Sequence, residues 1–468
     1  MPRRFHIETV GCQMNVLDSE LVTASLLAAG YEAATSRREA DIILFNTCSV
    51  RQHAEDKIYS ALGRLKHLKD QHPQKVIAVL GCMAQKDQAG IFKRAPHVDL
   101  VVGPGQIGRL PLLLAQVTAE RRPLVEVSLG RRAASRAEVE QSFEAFDPIR
   151  IVRARHSVHQ AMVRVMFGCD QFCTYCIVPS VRGPEQSRPI EQIESEVRQL
   201  ADQGCVEVTL LGQTVNSYQA MADGRRVGLA DLLERLDSVA GLRRIKFVTN
   251  FPRGVGDDLL QAVRDLHKVA PYLHVPAQSG SNAILKRMKR GYTVEEYRQL
   301  LERIRATVPG AAVTSDFIVG FCGETERDFE QTVDLVRFGR FKNSFIFKYS
   351  PRTGTKADEL FDDDVPEDVK RRRNNELLAV QNAISQEENE PFVGRTVEIL
   401  VEGPSKAAQR HAGQGAFVQL TGRTACDRIV VFDGAPSLAG RMLQVEIESA
   451  NSFTLFARPA GRPGAAGR

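Results

Sequence analysis

No apolar run in this chain approaches the roughly 20 residues that a membrane span requires. The opening residues, Met1 to His6, lack the apolar core of a secretory signal. A cytoplasmic protein without a membrane partner is therefore expected. An excess of one charge sign is also missing: 62 Lys and Arg stand against 57 Asp and Glu, a net charge of +5. Such a balance permits an RNA partner without arguing for one. The cysteine count is nine, and an odd count does not suit a disulfide framework. What is present is ordinary for a globular chain, with 43% hydrophobic and 25% charged residues. Its 468 positions suffice for two or three domains with full cores.

Three cysteines stand close together in Cys169-Asp170-Gln171-Phe172-Cys173-Thr174-Tyr175-Cys176, just after Gly168 and a strand-like run from Met162 to Phe167. No fourth Cys or His lies nearby in the chain, where a structural zinc would want one. A disulfide would leave one thiol over and is disfavoured in a reducing compartment. Iron–sulfur clusters take thiolate ligands, usually four. Three cysteines on a four-iron cluster would leave one iron open to a small molecule. A zinc site completed from elsewhere, or a loop without metal, stays open from the residues alone.

This stretch resembles the radical S-adenosylmethionine (SAM) signature, with Tyr175 as the aromatic residue before the last Cys. The resemblance implies that the open iron chelates the amino and carboxylate groups of SAM. An electron from the cluster then breaks a carbon–sulfur bond and releases a 5′-deoxyadenosyl radical.

Upstream, three strand-like runs (5–10, 41–45 and 76–80) alternate with helix-like stretches, the rhythm of a parallel sheet. Each run ends near a cysteine: Cys12, Cys48 and Cys82, which are 36 and 34 residues apart. Ligands gather at the carboxyl edge of such a sheet. A second three-cysteine site with an open iron is expected there; small buried residues ending core strands are the bland alternative. Val10-Gly11-Cys12-Gln13-Met14-Asn15 with Asp18-Ser19-Glu20 looks like the opening of the methylthiotransferases. So do Asn46-Thr47-Cys48-Ser49-Val50-Arg51 with Ala54-Glu55-Asp56-Lys57, and Gly81-Cys82-Met83-Ala84-Gln85. Gly11 to Asn15 resembles the branch that modifies isopentenylated adenosine in tRNA.

From about 155 to 388, six strand-like runs alternate with amphipathic helices, which suggests a partial (β/α)6 barrel with chemistry at the strands' carboxyl ends. The family motifs Gly212-Gln213-Thr214-Val215-Asn216 and His274 to Ser281 fall at strand ends. The resemblance places Tyr175, Gly212, Gln213, Asn216, Gln278 and Ser279 around SAM or substrate. His274 reads equally as a packing or a site residue. Asp316 and Gly320 to Thr325 match the family too, except for Cys322 where proline is usual; Thr353 likewise replaces a proline. Cys205, Cys322 and Cys426 have no partners in spacing and read as non-ligands. Glu185 and Arg188 match the family's charged pair, or are a surface ion pair of little worth.

The expected units are 3–120, an open parallel α/β domain; 121–154, an Arg-rich linker; 155–388, the barrel; and 391–458, a small β-barrel of five short strands. The last resembles the TRAM domain, a tRNA-binding module. It carries seven Lys or Arg against six Asp or Glu between 392 and 458. An RNA-binding face must therefore come from clustering, with Arg395, Lys406, Arg410, Arg423 and Arg428 as candidates. The run Lys370 to Arg373 reads as a solvated face, and 460–468 as a disordered end.

Taken together, the resemblance implies a monomeric tRNA methylthiotransferase with two [4Fe-4S] clusters and SAM. It would convert N6-dimethylallyl adenosine beside the anticodon to its 2-methylthio form. An electron donor such as a flavodoxin or ferredoxin, and a sulfur source, would serve it. The same chemistry on threonylcarbamoyl adenosine or on a ribosomal protein, and a non-catalytic cluster-bearing RNA sensor, are the other readings.

Overall fold

The computed structural model describes residues 2–49, 52–127, 150–410 and 417–460, with backbone alone at 52–54 and 410. Val50, Arg51, the Ala54 side chain, the linker arginines 131, 132 and 136, the Arg410 side chain and most of the expected disordered end lie outside the described residues.

The N-terminal strands are β1 (Arg4–Val10), β2 (Glu32–Ala33), β3 (Ile42–Thr47), β4 (Val76–Gly81), β5 (Leu100–Val102) and β6 (Leu124–Glu126). They form one parallel sheet in the order β2-β1-β3-β4-β5-β6. The middle strands are buried throughout, as near-continuous apolar runs in a parallel sheet require. Their side chains alternate between two cores: Leu44, Ala78 and Leu80 on one face, Ile43, Ile77 and Val79 on the other. β6 falls where the linker was expected to have begun, so the sheet reaches beyond residue 120.

The central strands are β7 (Gln160–Arg164), β10 (Glu207–Leu211), β13 (Arg244–Phe247), β14 (Tyr272–His274), β15 (Ala312–Val319) and β16 (Asn343–Lys348). Two parallel triplets, β7-β10-β13 and β14-β15-β16, are joined by the Ile245–Val269 bridge and by a bond from the Asn250 amide to the His274 carbonyl, 3.0 Å. This is the expected partial barrel. Ala161, Val163, Val208, Leu210, Ile245 and Phe247 point outward to the helices. Their neighbours Met162, Thr209, Lys246 and Val248 line an inner cavity of about 620 Å³. The run expected as one strand from 162 to 167 breaks at Val165. Its parallel partner ends at Leu211, so β8 (Met166–Phe167) turns to pair antiparallel with β9 (Gln186–Ser187). A hairpin of β11 (Gln219–Ala222) and β12 (Arg225–Gly228) was not legible in the sequence.

The tail closes as a barrel of β17 (Thr396–Pro404), β18 (Val418–Thr424), β19 (Ile429–Gly434), β21 (Thr454–Pro459) and β20 (Met442–Ala450), in that order. It docks on the amino-terminal end of the central barrel through Asp427, which meets Lys246 at 3.2 Å, Lys342 at 3.3 Å and Arg423 at 3.0 Å. Burial opposes ionisation of this carboxyl, yet the three cations hold it well below the usual carboxylate range. Arg423 also pairs with Glu402, and Arg428 packs on Phe392 and bonds the Glu388 carbonyl. Two of the cations expected to face RNA are thus occupied in docking, whereas Arg395 and Lys406 are exposed. The run Lys370 to Arg373 is also not a simple solvated face. Lys370 and Arg373 are buried, the first against Asp363 and the second against Glu324.

Candidate active site

Register brings the first three cysteines together. Val10 of β1 lies opposite Thr47 of β3, and Thr47 opposite Gly81 of β4. Cys12, Cys48 and Cys82 follow these aligned positions on adjacent strands, whose spacing is about 4.8 Å. Glycine permits the approach: a Cβ on Gly11 would stand 2.7 Å from Cys48 Cβ, and one on Gly81 (φ +91°) 2.5 Å from Asn46 Oδ1. Beneath the thiols lies a buried polar network. Asn15 Nδ2 donates to Asn46 Oδ1 at 3.1 Å, Asn46 Nδ2 donates to the Asn15 carbonyl and to Ser19 Oγ, and Thr47 Oγ1 donates to the Leu80 carbonyl. A network satisfied in this way fixes the edge. Cys12 is exposed, while Cys48 and Cys82 are buried. A hydrogen bond with Cys48, helped by the charge of Arg182, lowers the Cys12 thiol to about 6.

The second triad lies on the loop after β8. Gly168, at φ +75°, starts it so tightly that a Cβ would fall 1.8 Å from the Pro184 carbonyl oxygen. The loop is held by bonds from the Cys169 amide to the Gly183 carbonyl, from the Thr174 amide to the Met288 carbonyl, and from the Ala357 amide to the Thr174 carbonyl. Cys173 Sγ accepts from Arg290 Nη1 at 3.3 Å, and Cys169 Sγ lies 3.3 Å from Thr214 Oγ1. Burial raises Cys82 and Cys169, and pushes Cys176 up to about 12. Such thiols ionise at neutral pH only against a strongly positive partner, which is what cluster iron offers. The donor sets therefore fit clusters. Among the described residues no three His, Cys, Asp or Glu side chains close on a point as they would around a single ion. A cluster spreads its thiolates over separate irons and does not ask for that.

The two triads are neighbours. Cys82 packs with Ile177 and Val181, just beyond Cys176. Arg182, on the helix Val178–Arg182, donates from Nε to Cys82 Sγ at 3.3 Å and pairs with Asp18 at 2.6 Å; Asp18 also meets Arg164 at 2.8 Å. Arg352 carries its charge beside both Cys176 and Cys48, and its Nε is buried without a hydrogen-bond partner. Sequence reading missed these arginines as site residues, because their partners lie in other domains.

The remaining candidates gather at the carboxyl ends of the barrel strands. Gln213 Oε1, after β10, is buried and unpartnered; so are Asn250 Oδ1, beyond β13, and Asp316 Oδ1 on β15. Gln278 adopts φ +71°, as does Thr249, and strain of this kind concentrates at ligand sites. Gly212 has room for no side chain, since its Cβ would meet Met166 at 2.5 Å. Tyr175 packs edge-on against Phe321. Asn216 uses its amide to bridge the Phe251 backbone, and Ser279 accepts from the Ser281 amide and contacts Thr332, so both shape loops. His274 is held between Thr314 Oγ1 at 3.0 Å and Asp316 at 3.5 Å. Arg188 is buried against Glu196 at 2.6 Å, and Glu185 accepts from the Asp170 amide. Cys205 donates to the Glu207 carbonyl, and Cys322 lies in a separate apolar cluster.

Three family models match successive parts of the chain. Residues 4–103 match the family described as Uncharacterized protein family UPF0004, 163–336 the Radical SAM superfamily and 390–460 the TRAM domain. A tRNA-2-methylthio-N(6)-dimethylallyladenosine synthase of Rhodopirellula baltica is 56% identical, over 98% of this chain and 96% of its own. One of Moorella thermoacetica is 44% identical over 97% of each. Among solved structures, the radical SAM methyltransferase TsrM of Kitasatospora setae superposes with a TM-score of 0.55 at 14% identity, covering 76% of this chain and 74% of that one. That likeness concerns the fold.

Proposed function

The chain belongs to the tRNA-2-methylthio-N(6)-dimethylallyladenosine synthases, and we propose from its two thiol triads how it divides their work. It is a radical SAM enzyme that converts N6-dimethylallyl adenosine at position 37 of tRNA to the 2-methylthio form. SAM and a [4Fe-4S] cluster belong to that superfamily. In our reading Cys169, Cys173 and Cys176 hold this cluster, and Cys12, Cys48 and Cys82 hold a second one that carries the transferred sulfur. When bound, these groups and SAM supply the reducing electron, the hydrogen-abstracting radical and the methylated sulfur.

The protein's own residues position and seclude. Gln213, Asn250 and Asp316 each keep a buried acceptor oxygen without a partner on or just after a barrel strand, which suits a ligand with donors, as SAM is. Removal of an aromatic hydrogen needs a radical, because that C–H bond has too little acidity for a general base. Accordingly no side chain is assigned as an acid or base; the chain's task is proximity and exclusion of water. The reading also assigns a small one-electron donor such as a flavodoxin or ferredoxin, a separate sulfur source, a monomeric state, a cytoplasmic location and the unit boundaries 3–120, 155–388 and 391–458, the first carried on to Glu126 by β6.

One observation supports the division of labour: the register aligns Val10, Thr47 and Gly81 ahead of Cys12, Cys48 and Cys82, and Cys82 packs against Ile177 and Val181 just beyond Cys176. Iron content and SAM cleavage test it. Replacing Cys12, Cys48 and Cys82 with alanine should halve the iron, spare 5′-deoxyadenosine formation and abolish the methylthio product. Replacing Cys169, Cys173 and Cys176 should abolish both. Unchanged iron and product in the first variant would overturn the second site.

A further inference from the structure

Arg290 is only 6% exposed. It donates from Nη1 to Cys173 Sγ at 3.3 Å, from Nη2 to the Pro276 carbonyl at 3.0 Å and from Nε to the Tyr292 hydroxyl at 3.0 Å. The rings of Phe251 and Tyr292 lie 4.8 and 5.2 Å from its Cζ. No carboxylate is among these partners. Four other buried arginines differ: Arg164 and Arg182 share Asp18, and Arg150 and Arg188 share Glu196. A guanidinium keeps its charge at any accessible pH, and a buried charge facing neutral groups alone is costly. Its missing anion has one candidate within reach, the assembly that Cys173 would help to ligate.

We propose that Arg290 is the fixed counter-ion of the radical SAM cluster, and that its uncompensated charge sets how readily the cluster accepts its electron. This rests on assigning Cys169, Cys173 and Cys176 to that cluster. Three thiolates outweigh the charge of the iron–sulfur core, so the assembly is anionic, and the electron from the donor makes it more so. A cation one hydrogen bond from a ligand sulfur stabilises the reduced form more than the oxidised form. Net charge and hydrogen bonds to sulfur are the terms that set such potentials. No bond is made or broken at Arg290, and its protons stay in place. The Pro276 and Tyr292 contacts keep the fork aimed at Cys173, as outer partners of metal ligands do. Arg290 is a positioning residue by this account.

The test is a potentiometric titration followed by electron paramagnetic resonance. It uses the full chain with Cys12, Cys48 and Cys82 changed to alanine, so that a single cluster titrates. Arg290→Gln should keep its iron and shift the potential negative. Deoxyadenosine formation should then fall by roughly tenfold with a flavodoxin-strength donor and recover with a stronger chemical reductant. Arg290→Lys, which retains the charge, should stay near the parent potential. An unshifted potential in Arg290→Gln, or equal shifts in both variants, would reduce Arg290 to a hydrogen-bonding strut and overturn the proposal. If Arg290→Gln sheds its iron, Arg290→Lys decides: full iron at the parent potential supports the proposal, and loss of iron sinks it. Should the parent cleave SAM while the wild-type chain leaves tRNA unmodified, the substrate assignment fails and the counter-ion result stands. Should the parent assemble no cluster, both fall.

Discussion

Asp18 Oδ2 lies 2.6 Å from Arg182 Nη2, although 164 residues separate the two in the chain. The pair is almost wholly buried, and the same guanidinium reaches Cys82. One carboxylate of the N-terminal domain thus ties the sheet edge to the helix that follows the Cys loop. Asp18→Asn would take away the buried carboxylate that Arg164 and Arg182 share. Breaking such a set costs about 3–5 kcal/mol. Denaturation should report that loss, and iron at the Cys12 triad should drop before iron at the Cys169 triad. A variant as stable as the parent would show that the pair holds nothing.

Gly168→Ala should be far worse than its size suggests. A side chain at φ +75° costs about 1–3 kcal/mol in strain. The added carbon would also collide with the Pro184 backbone, which cannot yield as a side chain could. Expected are loss of the iron at Cys169, Cys173 and Cys176 and loss of SAM cleavage, with the other triad's iron retained. Normal SAM cleavage would count against the described loop.

The cations of the C-terminal barrel separate into two groups by what faces them. Exposed Lys406 and Arg395 should contact phosphate. Changing either to alanine should weaken tRNA binding across sequences and reduce the salt dependence by about one charge. Arg423→Ala should instead loosen the barrel's seat, seen as faster proteolysis near residue 391, with little change in the salt slope. A reversed pattern would move the RNA face to the docked side.

Lys342 makes the docking surface sensitive to pH. Burial, opposed by Asp427, lowers its amine from 10.5 to about 8. Between those values the unfolded chain holds a proton that the folded chain has released. Stability from this residue therefore rises with pH across that window and is lowest below 8. Thermal midpoints of the wild type should gain on those of Lys342→Met from pH 8 to 10. Parallel curves would place Lys342 in water.

How much of this was written in the sequence depends on the range of the interaction. Cys12, Cys48 and Cys82 could be placed together because a β-α-β rhythm puts successive strand ends on one edge, and hydrophobic periodicity is a local property. The five-stranded tail was visible for the same reason. Asp18 with Arg182, and Arg290 with Cys173, left no such trace, since an ion pair between distant elements has no period. Arg423 and Arg428 looked like RNA contacts because counting charges in a segment says nothing of the carboxylates, carbonyls and rings that folding brings to meet them. The break at Val165 was hidden too. It is set by where the neighbouring strand ends.

The apolar contact of Cys82 with Ile177 and Val181 has a bearing on how the enzyme turns over. Packing of this kind, with Arg182 reaching from the same helix to Cys82 and Asp18, resists a jaw-like opening between the two thiol triads. Whatever travels in each cycle must be the RNA, the small molecules and the sulfur. The enzyme is in this sense a workbench, whose two stations keep one separation while its materials come and go.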